Sequence, residues 1–211
     1  MSAAGGSAAQ WGQEQRKAAR KGLRRRLLAA LGLSPAARRA DARAADCDAG
    51  AVGEQRTAAL LRPLEAAGWL VLHDRAIPGA RSANADHVLV SPGARAFMVD
   101  SKLWSGRYPV HVVGGRLMHG TVDRDRTVGS VLYETDLLSR ALGVPVQPVI
   151  AMHNAPVAGK GFFVRGVPVV QADRIVEVLR GNDWPLNPAA AAALARTAVA
   201  VLPSAAGSGV A

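Results

Sequence analysis

The sequence predicts an α/β fold of the α+β kind, a mixed central sheet flanked by helices. Three observations carry that expectation. Short apolar runs bounded by turn residues recur from Trp69 to His119 and read as strands. A 3.6-residue apolar period follows over Arg124–Leu142 and reads as a helix. Two more apolar runs, Val146–Met152 and Gly166–Val170, come after it, before a last periodic stretch at Asp173–Leu179. Strands in a row, then a crossover helix, then further strands predict a mixed sheet with helices on its faces.

Taken in order, residues 1–10 are Ala, Gly and Ser, a composition of disordered segments. Trp11–Leu33 reads as a helix on which Arg16, Arg20 and Arg24 form one i,i+4 row and Lys17, Lys21 and Arg25 a neighbouring one. Ser34-Pro35 breaks it, and an Ala/Arg/Asp linker runs to Asp48. Ala51–Ala67 is the next expected helix, with Val52, Leu60, Leu61 and Leu64 inward, Pro63 late and Gly68 as stop signal. Glu54 falls in its first turn. There it is either a favourable charge at a helix start or a third acid aimed at the constellation described next. Trp69–Leu72 is a short strand, and Asp74–Asn84 a loop.

The stretch Asp86–Lys102 reads as a β-hairpin, with strands Asp86–Val90 and Arg95–Lys102 about the turn Ser91-Pro92-Gly93. Asp100 and Lys102 share a face, about 6.6 Å apart along the strand. The short turn folds Asp86 back toward the same edge. Two carboxylates and an ammonium at the end of a buried sheet suit a divalent cation and a phosphate. The competing reading is an ordinary strand-end charge pair, of about 0.2–1 kcal/mol.

Tyr108–Val113 and Arg116–His119 form a second hairpin across Gly114-Gly115. The helix Arg124–Leu142 turns Val128, Val131, Leu132, Thr135, Leu138 and Leu142 to one face, with Gly143 past its end. His153 and Asp173 read as turn and cap residues. An alanine-rich helix, Pro188–Leu202, precedes a Ser/Gly end. The domains are therefore a basic arm (1–48), a folded domain (49–181) and a C-terminal helix with tail (182–211).

The chain has 211 residues and a formal net charge of +10. Residues 1–48 hold ten Lys/Arg against four Asp/Glu, so a basic arm precedes a milder body. That asymmetry predicts a polyanionic partner, nucleic acid ahead of a membrane surface. Arg16, Lys17, Arg20, Lys21, Arg24 and Arg25 are the candidate phosphate contacts. A single cysteine, Cys47, excludes a disulfide framework and fits a reducing cytoplasm. The five histidines lack zinc-ligand spacing. No run of about 20 apolar residues predicts a membrane span. Arg24-Arg25-Arg26 faintly imitates a twin-arginine signal, but arginines return at Arg38-Arg39, where a cleavage region belongs. No Gly-rich phosphate loop, Ser/His/Asp elbow or internal repeat is present.

Gly53-Glu54 opening a helix, Gly68-Trp69-Leu70-Val71-Leu72-His73-Asp74, Ala85-Asp86-His87-Val88-Leu89-Val90 and Phe97-Met98-Val99-Asp100-Ser101-Lys102-Leu103-Trp104-Ser105-Gly106 together resemble the NERD (nuclease-related) domain. Val146–Ile150 and Gly166–Val170 resemble its closing strands, so the resemblance spans about Ala49–Gly181. It implies a PD-(D/E)xK nuclease, a restriction-endonuclease-like core and Mg²⁺-dependent phosphodiester hydrolysis, with Mn²⁺ as substitute. Asp86 matches the motif's first aspartate, Asp100 and Lys102 its (D/E)xK pair, and Glu54 the acid of the first helix. The metal ligands it implies are Asp86, Asp100, the Ser101 carbonyl and Glu54; Lys102 would position and help deprotonate a water. Ala85 stands where the motif has proline, and Tyr133-Glu134 where many relatives carry a glutamine. The expected substrate is nucleic acid, DNA first. The alternative is a nuclease fold kept only for binding DNA. Restriction-type relatives often act as dimers, so a homodimer is compatible; DNA against RNA and endo against exo action stay open.

Overall fold

A computed structural model describes residues 13–14, 35–80 and 83–205, without the side chains of 35–48. The basic-arm residues Arg16, Lys17, Arg20, Lys21, Arg24 and Arg25 therefore lie outside the described residues, as does nearly all of the expected Trp11–Leu33 helix; Gln13 and Glu14 are helical. The fold is mixed α+β, consistent with a restriction-endonuclease-like core. Helix α1 (Pro35–Ala66) leads into strands β1 (Leu70–Ala76), β2 (Asn84–Val90) and β3 (Ala96–Leu103). A small antiparallel sheet follows, β4 (Val110–Val113), β5 (Arg116–His119) and β6 (Val122–Asp123). Then come α2 (Asp125–Leu142), β7 (Val146–His153), β8 (Phe162–Val164), β9 (Val167–Gln171), α3 (Ile175–Gly181) and α4 (Pro188–Val201).

The main sheet runs in the order β1-β2-β3-β7-β9-β8. β1, β2 and β3 pair antiparallel, while β3–β7 and β7–β9 are parallel. Both faces are covered, which is why β3 and β7 read as nearly unbroken apolar runs. Strand alternation sorts the core into two clusters. Phe97, Val99, Leu89, Val149 and Ala151 face α1 and α3, packing on Leu61, Leu64, Ile175 and Leu179. Val88, Val90, Met98, Ile150 and Met152 face α2 and α4, packing on Val128, Val131, Leu138, Leu142 and Leu194.

Several expectations need correction. The expected 36–48 linker is helical and continuous with α1, in keeping with its alanine and arginine content. Glu54 thus lies well inside a 32-residue helix rather than in a first turn, so charge at a helix N-terminus cannot explain it. Val52 is exposed, and the inward stripe is Gly53, Glu54, Thr57, Leu61 and Leu64. β1 continues to Ala76 where a loop was expected, and β6 and β8 are strands of two and three residues, too short to carry a periodic signal.

The β2–β3 turn is held from outside. Ser91 N and O bond Arg95 O and Ala94 N, both at 2.9 Å. The Ser91 hydroxyl donates to Asp183, the Arg95 guanidinium stacks 4.8 Å over Trp184, and Asn187 N reaches Pro92 O at 2.9 Å. Beyond α4, Ala76 N bonds Pro203 O at 3.0 Å, so the end of the described chain closes over the free edge of β1. A Cβ on Gly93 would collide with the Trp184 carbonyl and the Asp183 carboxylate. Gly93→Ala is accordingly expected to cost about 1–3 kcal/mol of stability, read as a lower denaturant midpoint with unchanged slope.

Candidate active site

Alternation sends neighbouring residues of β2 and β3 to opposite faces. The last paired positions are His87–Val99. One step further, Asp86 and Asp100 stand opposite each other on the α2 face, and Lys102 follows Asp100 on that face. Asp86 Oδ2 accepts the Ser101 backbone N–H at 2.7 Å, which fixes the carboxylate against β3. Lys102 Nζ pairs with Asp100 Oδ1 at 2.6 Å, their side chains 28% and 10% exposed. Asp100 Oδ2 is buried and lacks a hydrogen-bond partner among the described residues. A buried carboxylate oxygen left in that state is costly unless something positive meets it.

A fourth charged residue comes from α2. Glu134 lines a cavity of about 460 Å³ with Asp100, Lys102, Asp123, Arg124, Arg126, Thr127 and Ser130. The acids influence one another. Burial, then the charge of Asp100, pushes the Asp86 carboxyl up to about 7, against the pull of Lys102 and the Ser101 N–H. The same two causes push Glu134 up to about 8. Burial works against the Lys102 ammonium, yet Asp100 and Asp86 outweigh it and hold Lys102 above its ordinary range. Lys102 is therefore cationic in the metal-free protein.

Of the sequence-predicted residues, Asp86, Asp100 and Lys102 are brought together. Glu54 is buried on α1, one turn before Thr57, on the helix face that meets β3. That is the opposite side of the sheet from Asp86 and Asp100. A Cβ on its neighbour Gly53 would lie 3.3 Å from Leu103 Cβ. The Ser101 carbonyl receives a long contact, 3.5 Å, from Lys102 Nζ. Among the described residues, no three of His, Cys, Asp and Glu form a ready-made metal-ligand group.

The α1 face carries a polar chain that the sequence did not announce. His73 Nδ1 meets His87 Nδ1 at 2.8 Å, and His87 Nε2 meets Ser101 Oγ at 3.2 Å. Ser101 Oγ donates to Thr57 Oγ1 at 2.8 Å, and Thr57 Oγ1 meets His153 Nε2 at 2.7 Å. Burial, helped by His73 and His153, pushes His87 down to about 3, so it stays neutral at physiological pH. His153, read as a turn residue, closes this chain. Ser101 and His87 are flanked in sequence by the acids, so the chain braces from behind the two strands that present Asp86 and Asp100.

The nuclease-related domain model, NERD, matches residues 49–153, which contain both faces of this arrangement. The chain carries a NERD domain. The PD-(D/E)xK superfamily is its general context. The NERD match ends at His153, the last residue of β7 and of the polar chain. No curated protein and no solved structure matches the chain. No helix among the described residues is long and apolar enough to cross a membrane.

Proposed function

We propose that this NERD domain is a metal-dependent nuclease that hydrolyses phosphodiester bonds of nucleic acid, with DNA as the first substrate to test. The observation that carries the reading is the convergence of Asp86, Asp100 and Lys102 at one strand end, with Asp100 Oδ2 buried and unpartnered among the described residues. The donor set fits a hard divalent cation such as Mg²⁺ or Mn²⁺: all oxygen, anionic, and crowded enough that two carboxyls are driven toward their neutral forms. Asp86 and Asp100 would hold it, with Glu134 as the nearby acid from α2. Glu54 and the Ser101 carbonyl are the weaker candidates from their positions. When bound, such an ion neutralises charge building on the scissile phosphate.

Lys102 takes the role that the (D/E)xK resemblance implies. Without metal, Asp100 and Asp86 keep it protonated, ready to donate a hydrogen bond to a phosphate oxygen or the attacking water; with a cation on those carboxylates it would position that water and help deprotonate it. Arg124 and Arg126, exposed at the cavity rim, attract the polyanion toward the acids.

The test incubates the protein with plasmid, linear duplex and single-stranded DNA, with Mg²⁺, Mn²⁺ or EDTA. Cleavage that needs the metal and stops with EDTA is the expected result. DNA that shifts in a gel yet stays intact under every metal would overturn the enzyme and leave a binding module.

A further inference from the structure

The catalytic cavity does not end at Ser130. A second, more open groove of about 650 Å³ shares Arg126 and Ser130 with it and continues along α2. Three separate elements supply its cations: Arg116 from β5, Arg126 from α2 and Arg165 from the β8–β9 turn. Tyr133, 55% exposed, lies among them. Asp125 is the single acid in the lining; counting also Asp123, which pairs with Arg116, the three arginines keep a surplus of one positive charge.

These cations are available. Arg116 pairs with Asp123 at 2.6 Å and Arg165 with Asp125 at 3.1 Å, with the arginine side chains 59% and 42% exposed, so that a phosphate can reach both guanidinium groups. Arg126 has no ion-pair partner among the described residues. Gly129 forms part of the floor, where an added Cβ would meet only the Arg165 guanidinium, at 3.9 Å. Arg126, Gly129, Ser130 and Tyr133 recur at i, i+3, i+4 and i+7, one helix face about 10 Å long. That length is far short of the roughly 34 Å of a duplex turn.

A groove made for duplex backbone needs cations alone, because paired bases keep their faces inside the stack. An exposed aromatic ring among arginines instead offers an unpaired base a surface to stack on. Resting on the nuclease reading above, we propose that this groove holds an unpaired nucleic-acid strand leading into the catalytic cavity. Arg126 and Arg165 contact its phosphates, and Tyr133 stacks a base. The substrates of this class are single strands, flaps or frayed ends.

The experiment measures fluorescence anisotropy of a labelled oligo-dT and of a hairpin duplex of equal length, in EDTA. It uses the full chain, Tyr133→Ala, Tyr133→Phe and Arg126→Ala. Tyr133→Ala should weaken single-strand binding by about 5- to 150-fold, the range of one base stack, with duplex binding unchanged. Tyr133→Phe should keep the affinity, and Arg126→Ala should lower the salt slope by about 0.7, one single-strand phosphate contact. Equal binding of strand and duplex, or equal affinity of Tyr133→Ala and wild type, would overturn the groove. The two readings fail separately. Metal-dependent plasmid cleavage with no Tyr133 effect removes the groove alone, whereas Tyr133-dependent strand binding without cleavage under any metal removes the nuclease alone.

Discussion

Asp100→Ala and Lys102→Ala should each lose metal-dependent cleavage by about a thousandfold or more, the upper part of the range for groups that act on proton transfer and charge in the transition state. The two variants differ in stability, which separates loss of chemistry from loss of fold. Asp100→Ala deletes the buried oxygen that lacks a partner and relieves its repulsion of Asp86 and Glu134. It should therefore melt no lower than wild type without metal. Lys102→Ala leaves Asp100 with neither of its oxygens compensated. It should cost roughly 1–3 kcal/mol, the penalty of stranding a buried polar group. If Lys102→Ala proves as stable as Asp100→Ala, the pair is not the electrostatic unit the 2.6 Å contact indicates.

Asp86→Asn should make the metal-free protein more stable at pH 8.5 while removing its activity. Asp86 and Glu134 have folded-state pKa values raised to about 7 and about 8. Between their ordinary values and these, the folded chain binds more protons than the unfolded one. Their stabilising contribution is complete below about pH 4 and is lost as pH rises through 7 to 8. Metal-free wild type should thus melt progressively lower from pH 5.5 to 8.5, the reverse of an acid-labile protein. Asn at position 86 removes one of the two titrations and should raise stability at pH 8.5 by roughly 1–3 kcal/mol, discounted for the residual solvent exposure of this half-buried site. Millimolar Mg²⁺ should raise the wild-type melting temperature at pH 8 and leave Asp86→Asn unmoved. Parallel melting curves for the two proteins across that range, with and without Mg²⁺, would remove the acid cluster as a cation site.

The part of the site that was legible lies in one hairpin. Asp86, Asp100 and Lys102 are close in sequence, and a period of two with a short turn suffices to place them on one face. Residues joined by distant elements carried no comparable signal. Glu134 reaches the cavity because α2 crosses back over the sheet, 34 positions after Asp100. The polar chain links Thr57, His73, His87, Ser101 and His153 from five elements, so their spacing along the chain conveyed nothing. Glu54 sits in the helix the sequence predicts but several turns further in, because the preceding alanine-rich stretch, with Pro35 at its start, carries no apolar period and yet is helical. The helix Asp125–Leu142 was readable almost to the residue. Its apolar stripe and Gly143, left-handed at φ 69°, mark its face and its end.

The NERD match stops at β7, but the sheet does not. A fragment cut at His153 would retain Asp86, Asp100, Lys102 and Glu134 yet bare the parallel edge of β7, whose partner is β9. It would also lose the strap that ties Pro203 to β1 and the residues that clamp the β2–β3 turn. The matched segment is thus smaller than the sheet it belongs to. Gene fusion or domain shuffling could transplant this chemistry only by carrying the following fifty residues as well.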